Sequence, residues 1–219
     1  DHIQITLESH DPAIHDRMSG SSGAWEETVA GIKAVVNADV YMMTNTTITT
    51  ENVDGIEETI AFAASLGVPT FGCNSLIYSG SGVCVGSGIP EDQLQPILER
   101  VKDAAAAHQM RLIWYTPTQY CEFDPTGLEL GIKGCTAARY NMAVEPNGDV
   151  LPCQSYFVSL GNILTTPWEE IWEHELARYL RNRDFKMAKC YNCPDQVLCG
   201  GGCPLYNQHQ DEESIGKAV

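Results

Sequence analysis

Nine cysteines in 219 residues are the chemistry-bearing feature of this sequence, and six of them, Cys135, Cys153, Cys190, Cys193, Cys199 and Cys203, lie after residue 134. The last four are separated by two, five and three residues. Two thiols with two residues between them reach one metal centre, because the intervening turn carries both sulfurs to the same side. Pro194 and Pro204 directly follow two of these cysteines. Gly200-Gly201-Gly202 removes side chains where a backbone would wrap a bulky inorganic group, and offers N–H groups to sulfur. Cys135 and Cys153 frame Gly148, with twelve residues before the glycine and four after it, and Cys121 lies upstream in Tyr120-Cys121-Glu122. The competing use of so many cysteines is a disulfide framework. An odd count, and close spacings alternating with long ones, favour thiolates on metal in a reducing cytoplasm instead. Cys73 reads as part of a strand core and Cys84 as incidental to a loop, while His10, His15, His108, His174 and His209 show no zinc-type pairing.

Elements must position these thiols, and their texture changes along the chain. Residues 3–7, 40–49, 70–78 and 111–116 have strand character, and apolar residues at helical spacing between them (Trp25, Val29, Ile32, Val36; Val53, Ile56, Ile60, Ala63; Leu94, Ile97, Val101, Ala105) mark three helices. Gly67 is a helix-end candidate, and Pro96 is expected to kink or shorten the third helix. Such alternation predicts an α/β domain over residues 1–116 with a parallel sheet, half of a six-stranded barrel whose remainder is expected upstream of Asp1. The glycine- and serine-rich loop at 79–88 lacks the lysine and spacing of a phosphate-binding P-loop. From residue 117 to 219 cysteine, glycine and proline dominate. Pro146-Asn147-Gly148 predicts a hairpin between 141–145 and 149–154. Thr166-Pro167-Trp168-Glu169 predicts a capped helix start, followed by the apolar face Trp168, Ile171, Trp172, Leu176 and Tyr179. The net charge of −16 argues against nucleic-acid phosphate as a partner, and no apolar run reaches the roughly 18 residues of a membrane span.

Cys135, the Gly148-to-Cys153 step, Gly161-Asn162-Ile163, Trp168 and the four-cysteine run ending at Cys203 follow one another in an order that resembles the SPASM domain of radical S-adenosylmethionine (SAM) enzymes. The resemblance implies two auxiliary [4Fe–4S] clusters with interleaved ligands: Cys135, Cys153 and Cys203 with Cys121 on the first, and Cys190, Cys193 and Cys199 on the second. The second cluster's usual fourth ligand is a cysteine further downstream, which has no counterpart in this chain after Cys203. Residues 1–116 resemble the second half of the partial (β/α)6 barrel of the same enzymes, through Thr6-Leu7-Glu8-Ser9 and His15-Asp16-Arg17. By that resemblance Thr6, Glu8, Arg17 and Asn45 are the candidates to contact SAM, at the C-terminal ends of strands where α/β sheets place their ligands.

The resemblance further implies a segment of a maturase that modifies a peptide or other small-molecule substrate by 5′-deoxyadenosyl radical chemistry, with a reducing redox protein as partner. The cysteine triplet spaced by three and two residues, which holds the catalytic cluster in that family, does not occur in this sequence, so the chain is expected to be inactive alone. Gln154 stands where sulfatase-maturing members carry an aspartate, which argues against that particular activity. The alternative from another class is a structural zinc or iron–sulfur module without catalysis, with Cys190, Cys193, Cys199 and Cys203 around one zinc ion.

Overall fold

The computed structural model describes residues 2–38 and 40–216, with side chains through residue 210. Two compact units emerge, Asp1–Leu76 with Ser87–Thr116 and Pro125–Gly131, and Ile77–Gly86 with Pro117–Asp124 and Ile132–Val219.

The first unit is an α/β layer. Its strands β1 (His2–Thr6), β2 (Tyr41–Ile48), β3 (Thr70–Ser75) and β4 (Arg111–Trp114) form one sheet in the order β1-β2-β3-β4, with every neighbouring pair parallel. Parallel neighbours require crossovers, and helices α1 (Pro12–Ser19), α2 (Ala24–Val36), α3 (Ile56–Ser65) and α4 (Leu94–Ala107) lie between the strands in sequence. All six residues of β3 are buried, as expected of an inner parallel strand covered on both faces. Ile32, Ile56, Ile60, Leu94 and Val101 are fully buried at helical spacing and form the core, while in α4 Leu98 takes the buried place expected of Ile97, which is only half-buried. Gly67, at φ +89°, follows α3 and donates its N–H to the Ala64 carbonyl, ending the helix. Pro96 does not shorten α4. It occupies the third position, where a helix N–H has no intrahelical acceptor to lose.

The second unit contains a short antiparallel hairpin, β5 (Ala143–Val144) and β6 (Val150–Leu151). Gly148 turns it at φ +92°. A Cβ there would lie 2.8 Å from Asn162 Oδ1, so glycine is required both by backbone conformation and by the close approach of Asn162. Asn162 in turn donates to the Asn147 carbonyl (2.9 Å) and to Asp149 Oδ1 (3.2 Å), which explains why the Gly148 and Gly161-Asn162 motifs occur together. The expected helix over Trp168–Tyr179 is instead two helices, α5 (Trp168–Trp172) and α6 (Glu175–Asn182). His174 interrupts them and caps α6, its Nδ1 accepting from the Leu176 N–H at 3.2 Å. Thr166 is not the α5 cap either. Its hydroxyl accepts from the Asn162 N–H at 3.1 Å, spending the oxygen on the hairpin brace. Ile171, Ala177 and Leu180 join Val150, Tyr156, Leu160 and Phe185 in the core of this unit, against which Cys135 and Cys153 pack. Helices α7 (Gln196–Cys199) and α8 (Pro204–Gly216) complete it. Among the described residues no helix is long and apolar enough to cross a membrane.

Candidate functional site

The hairpin brings the first thiols together. Ala138 N–H donates to the Asn141 carbonyl (2.9 Å) and to the Pro152 carbonyl (2.8 Å), which ties the loop after Cys135 to the residue before Cys153. Cys203, directly before α8, is the third member, and the charges of Cys135 and Cys153 both act on it. Backbone N–H groups are directed at each sulfur: Ala137 at Cys135, Ser155 and Tyr156 at Cys153, and Tyr206 and Leu205 at Cys203. Burial pushes all three thiols up, Cys203 to about 12, and these N–H groups only partly oppose it. Such thiols ionise when a metal supplies the positive charge that the surroundings lack.

The second group is built from the other end of the cysteine run. Cys193 N–H donates to the Cys190 carbonyl (3.2 Å), closing the turn between them, and α7 delivers Cys199. Gly200, Gly201 and Gly202 all adopt positive φ, and a Cβ at Gly200 would lie 2.2 Å from the Arg183 guanidinium. The glycine run thus reverses the chain within three residues, which separates Cys199 from Cys203 and sends them to different groups. Tyr120 N–H and Gly201 N–H each reach the Cys199 sulfur at 3.4 Å, and the Cys199 thiol donates to the Thr118 carbonyl at 3.5 Å. Burial pushes the Cys190 thiol up, with the charges of Cys199 and Cys121 adding to it.

Cys121, Cys190, Cys193 and Cys199 all line one cavity of about 90 Å³, together with Gln119, Tyr120, Lys189, Gln196 and Gly201. Cys121, expected from the sequence to join Cys135, Cys153 and Cys203, therefore lies with the other group. A chain loop fourteen residues before Cys135 is free to turn either way, and the hydrogen bond from Tyr120 N–H to the Cys199 sulfur turns it here.

Among the described residues no three His, Cys, Asp or Glu side chains converge tightly enough for a single metal ion. Thiolates on one zinc stand within about 4 Å of one another. A cubane cluster holds its ligands apart by its own width, and the cavity is several times the roughly 10–15 Å³ that one water needs. Seven thiols in two groups, with peptide N–H groups aimed at sulfur, have the donor chemistry that iron–sulfur clusters require.

The α/β unit carries a second polar constellation at the strand ends. Glu8, two residues beyond β1, accepts the Thr47 N–H through Oε2 at 2.7 Å, while its own N–H donates to His15 Nδ1 at 3.1 Å. Asn45 Nδ2 donates to Asn74 Oδ1 (2.8 Å), and Asn74 Nδ2 reaches Thr47 Oγ1 (3.4 Å), so Glu8 and Asn45 share one network through Thr47 and Asn74. The buried Asn45 Oδ1 has no hydrogen-bond partner among the described residues. Thr6 pairs with Asn45 in the parallel register and is exposed. Arg17, on α1, stands apart and forms an exposed ion pair with Glu51 at 2.8 Å. The sequence reading missed Asn74 and Thr47. An asparagine inside an apolar strand was their visible signal, since asparagine is depleted from strands.

Burial raises the Glu8 pKa to about 7, against the lowering effect of its Thr47 hydrogen bond. The folded state then holds a proton that the unfolded state releases near pH 4.5, so the contribution of Glu8 to stability is greatest below pH 4.5 and declines as pH rises through 7, by at most roughly 3 kcal/mol. Glu8→Gln keeps an acceptor for Thr47 and has no proton to lose. Thermal melts should show the variant gaining on the parent between pH 5 and 7.5, and parallel pH profiles would contradict the assignment.

Comparisons with known proteins agree with this architecture. The SPASM family model, described as an iron–sulfur cluster-binding domain, matches residues 135–194. The AdoMet-dependent heme synthase of Methanosarcina barkeri is 28% identical over 91% of this chain and 61% of its own length, and that of Oleidesulfovibrio alaskensis is 23% identical over 96% and 60%. The chain thus spans about 60% of the length of these curated relatives. The fold is similar to that of Streptococcus suis SuiB bound to S-adenosylmethionine, with a TM-score of 0.72 at 16% identity over 94% of this chain and 50% of that one. It is also similar to anSMEcpe with bound AdoMet and a peptide, with a TM-score of 0.61 at 16% identity over 92% and 59%. A parallel β/α layer of this topology is similar in fold to these S-adenosylmethionine-bound enzymes, and residues 135–194 of the cysteine-rich unit that follows it match the SPASM iron–sulfur cluster-binding domain.

Proposed function

We propose that this chain is the part of a radical SAM enzyme that carries two auxiliary [4Fe–4S] clusters and half of the SAM pocket. The observation that supports it most is the sorting of seven thiols into two groups, Cys135, Cys153 and Cys203 in one and Cys121, Cys190, Cys193 and Cys199 in the other. Bound clusters supply one-electron chemistry, at potentials set by the N–H groups around their sulfurs. Glu8 and Asn45 offer a carboxyl and an unpartnered amide oxygen to the SAM amine, with Thr6 beside them. Arg17 is free to exchange Glu51 for the SAM carboxylate, because an exposed ion pair is worth about 1 kcal/mol or less.

The sequence relatives support a tetrapyrrole substrate in heme formation, since they share identity along more than nine-tenths of this chain. A peptide substrate is the second reading, and the likeness to SuiB bound to its precursor peptide favours it. A cytosolic reductant completes the proposed system. The zinc alternative needs Cys203 beside Cys190, Cys193 and Cys199, whereas Cys203 neighbours Cys135 and Cys153.

Anaerobically prepared protein should contain about eight irons and eight acid-labile sulfides per chain. Stoichiometric zinc without sulfide would sink the proposal. The same preparation, reduced with dithionite, should form no 5′-deoxyadenosine from SAM, because the sequence has no cysteine triplet spaced by three and two residues. Turnover by the isolated chain would show that one of the clusters assigned here as auxiliary is the catalytic one.

A further inference from the structure

Cys121 lies on the segment 117–124, far in sequence from the run that supplies Cys190, Cys193 and Cys199, yet it lines the same cavity. Two independent contacts hold that segment there. Tyr120 N–H donates to the Cys199 sulfur at 3.4 Å, and Gln119 Nε2 donates to Asn207 Oδ1 at 3.0 Å within the buried interior. A third contact, at the rim, is the ion pair of Glu122 with Lys189 at 2.7 Å, and Lys189 also reaches the Cys121 side chain. The residue before Cys121 is thus tied to one cysteine of the group, and the residue after it is tied to the neighbour of another, Cys190. Cys121 itself is exposed, and its side chain meets only the rim pair, Glu122 Oε1 at a long 3.8 Å and Lys189, among the described residues, so no buried contact competes for its thiol.

We infer that Cys121 is the fourth protein ligand of the second cluster, closing that site together with Cys190, Cys193 and Cys199. This rests on the two-cluster reading above. The consequence is a different division of labour between the two sites. The second cluster has four thiolates and no iron open to exchange, while the first, held by Cys135, Cys153 and Cys203, is the one with an open iron.

Spectroscopy on the 219-residue protein, prepared anaerobically as the parent, as Cys121→Ser and as Cys135→Ala, tests this. In the parent, added cyanide should alter the reduced-state EPR spectrum of one cluster only, the one that Cys135→Ala removes. Cys121→Ser should create a second cyanide-sensitive cluster, or lose that cluster on brief exposure to air, with the first cluster unchanged. Unaltered spectra in Cys121→Ser, or damage confined to the cluster that Cys135→Ala removes, would overturn the inference while leaving two clusters in the parent. A parent without two clusters would overturn the functional reading as well. Cys121 is exposed, so unfolding of the serine variant is not expected, and unchanged circular dichroism checks this.

Discussion

Cys203→Ala should remove one cluster and leave the other, so that iron and sulfide fall to about half of the parent's content. The expectation is sharp because Cys203 belongs by sequence to the run Cys190-Cys193-Cys199-Cys203, and by structure to Cys135 and Cys153. Removing one thiol from a group of three leaves only two protein ligands, too few to retain a cluster through anaerobic desalting. Cys135→Ala and Cys153→Ala should match Cys203→Ala in iron content and spectrum, and Cys190→Ala should give the complementary loss. If Cys203→Ala behaved like Cys190→Ala, the run would be one site, as the zinc reading requires. Structural collapse is separable from ligand loss by Cys203→Ser, which keeps the size of the side chain and should lose the same cluster.

Phe71→Ala should destabilise the α/β unit by about 3–5 kcal/mol, the usual cost of removing a buried phenyl ring together with the cavity it leaves. Phe71 is fully buried on β3, between β2 and β4, in a strand with no exposed residue. Against a typical domain stability of about 5–15 kcal/mol, that loss is a large fraction of the whole. The midpoint of thermal unfolding should fall by roughly 15 °C or more. Phe71→Leu, which nearly conserves volume, should cost about 1 kcal/mol. Cluster content is the informative second readout. Cys121, Cys135, Cys153, Cys190, Cys193, Cys199 and Cys203 all lie in the other unit, so iron bound per chain should be unchanged below the new melting temperature. A parallel loss of iron would mean that the two units do not fold independently.

The elements of the α/β unit were legible because periodicity survives burial. Val29 and Ile32, Ile56 and Ile60, and Leu94 and Val101 face inward at the spacing a helix imposes, and residues 40–49 carry a run rich in β-branched side chains. The local pairing of candidate thiols was legible too, since turn geometry ties Cys190 and Cys193 together, with Cys193 N–H donating to the Cys190 carbonyl. Helix ends in the cysteine-rich unit were less so. Thr166 had the form of a cap, but a hydroxyl has few lone pairs, and the Asn162 N–H took one through a contact that spacing alone does not reveal. The break at His174 likewise depends on which backbone N–H the imidazole meets.

By itself, the sequence determined that this protein has a parallel β/α layer followed by a cysteine-rich unit, and which thiols are available for metal. Only the tertiary structure decided how those thiols divide. Cys199 and Cys203 have only three residues between them and part company because those three positive-φ glycines turn the chain, whereas Cys121 and Cys199 are far apart in sequence and meet because Tyr120 N–H bonds to the Cys199 sulfur. Local chemistry is written in spacing. Grouping across long separations depends on which backbone groups find each other after the chain has collapsed.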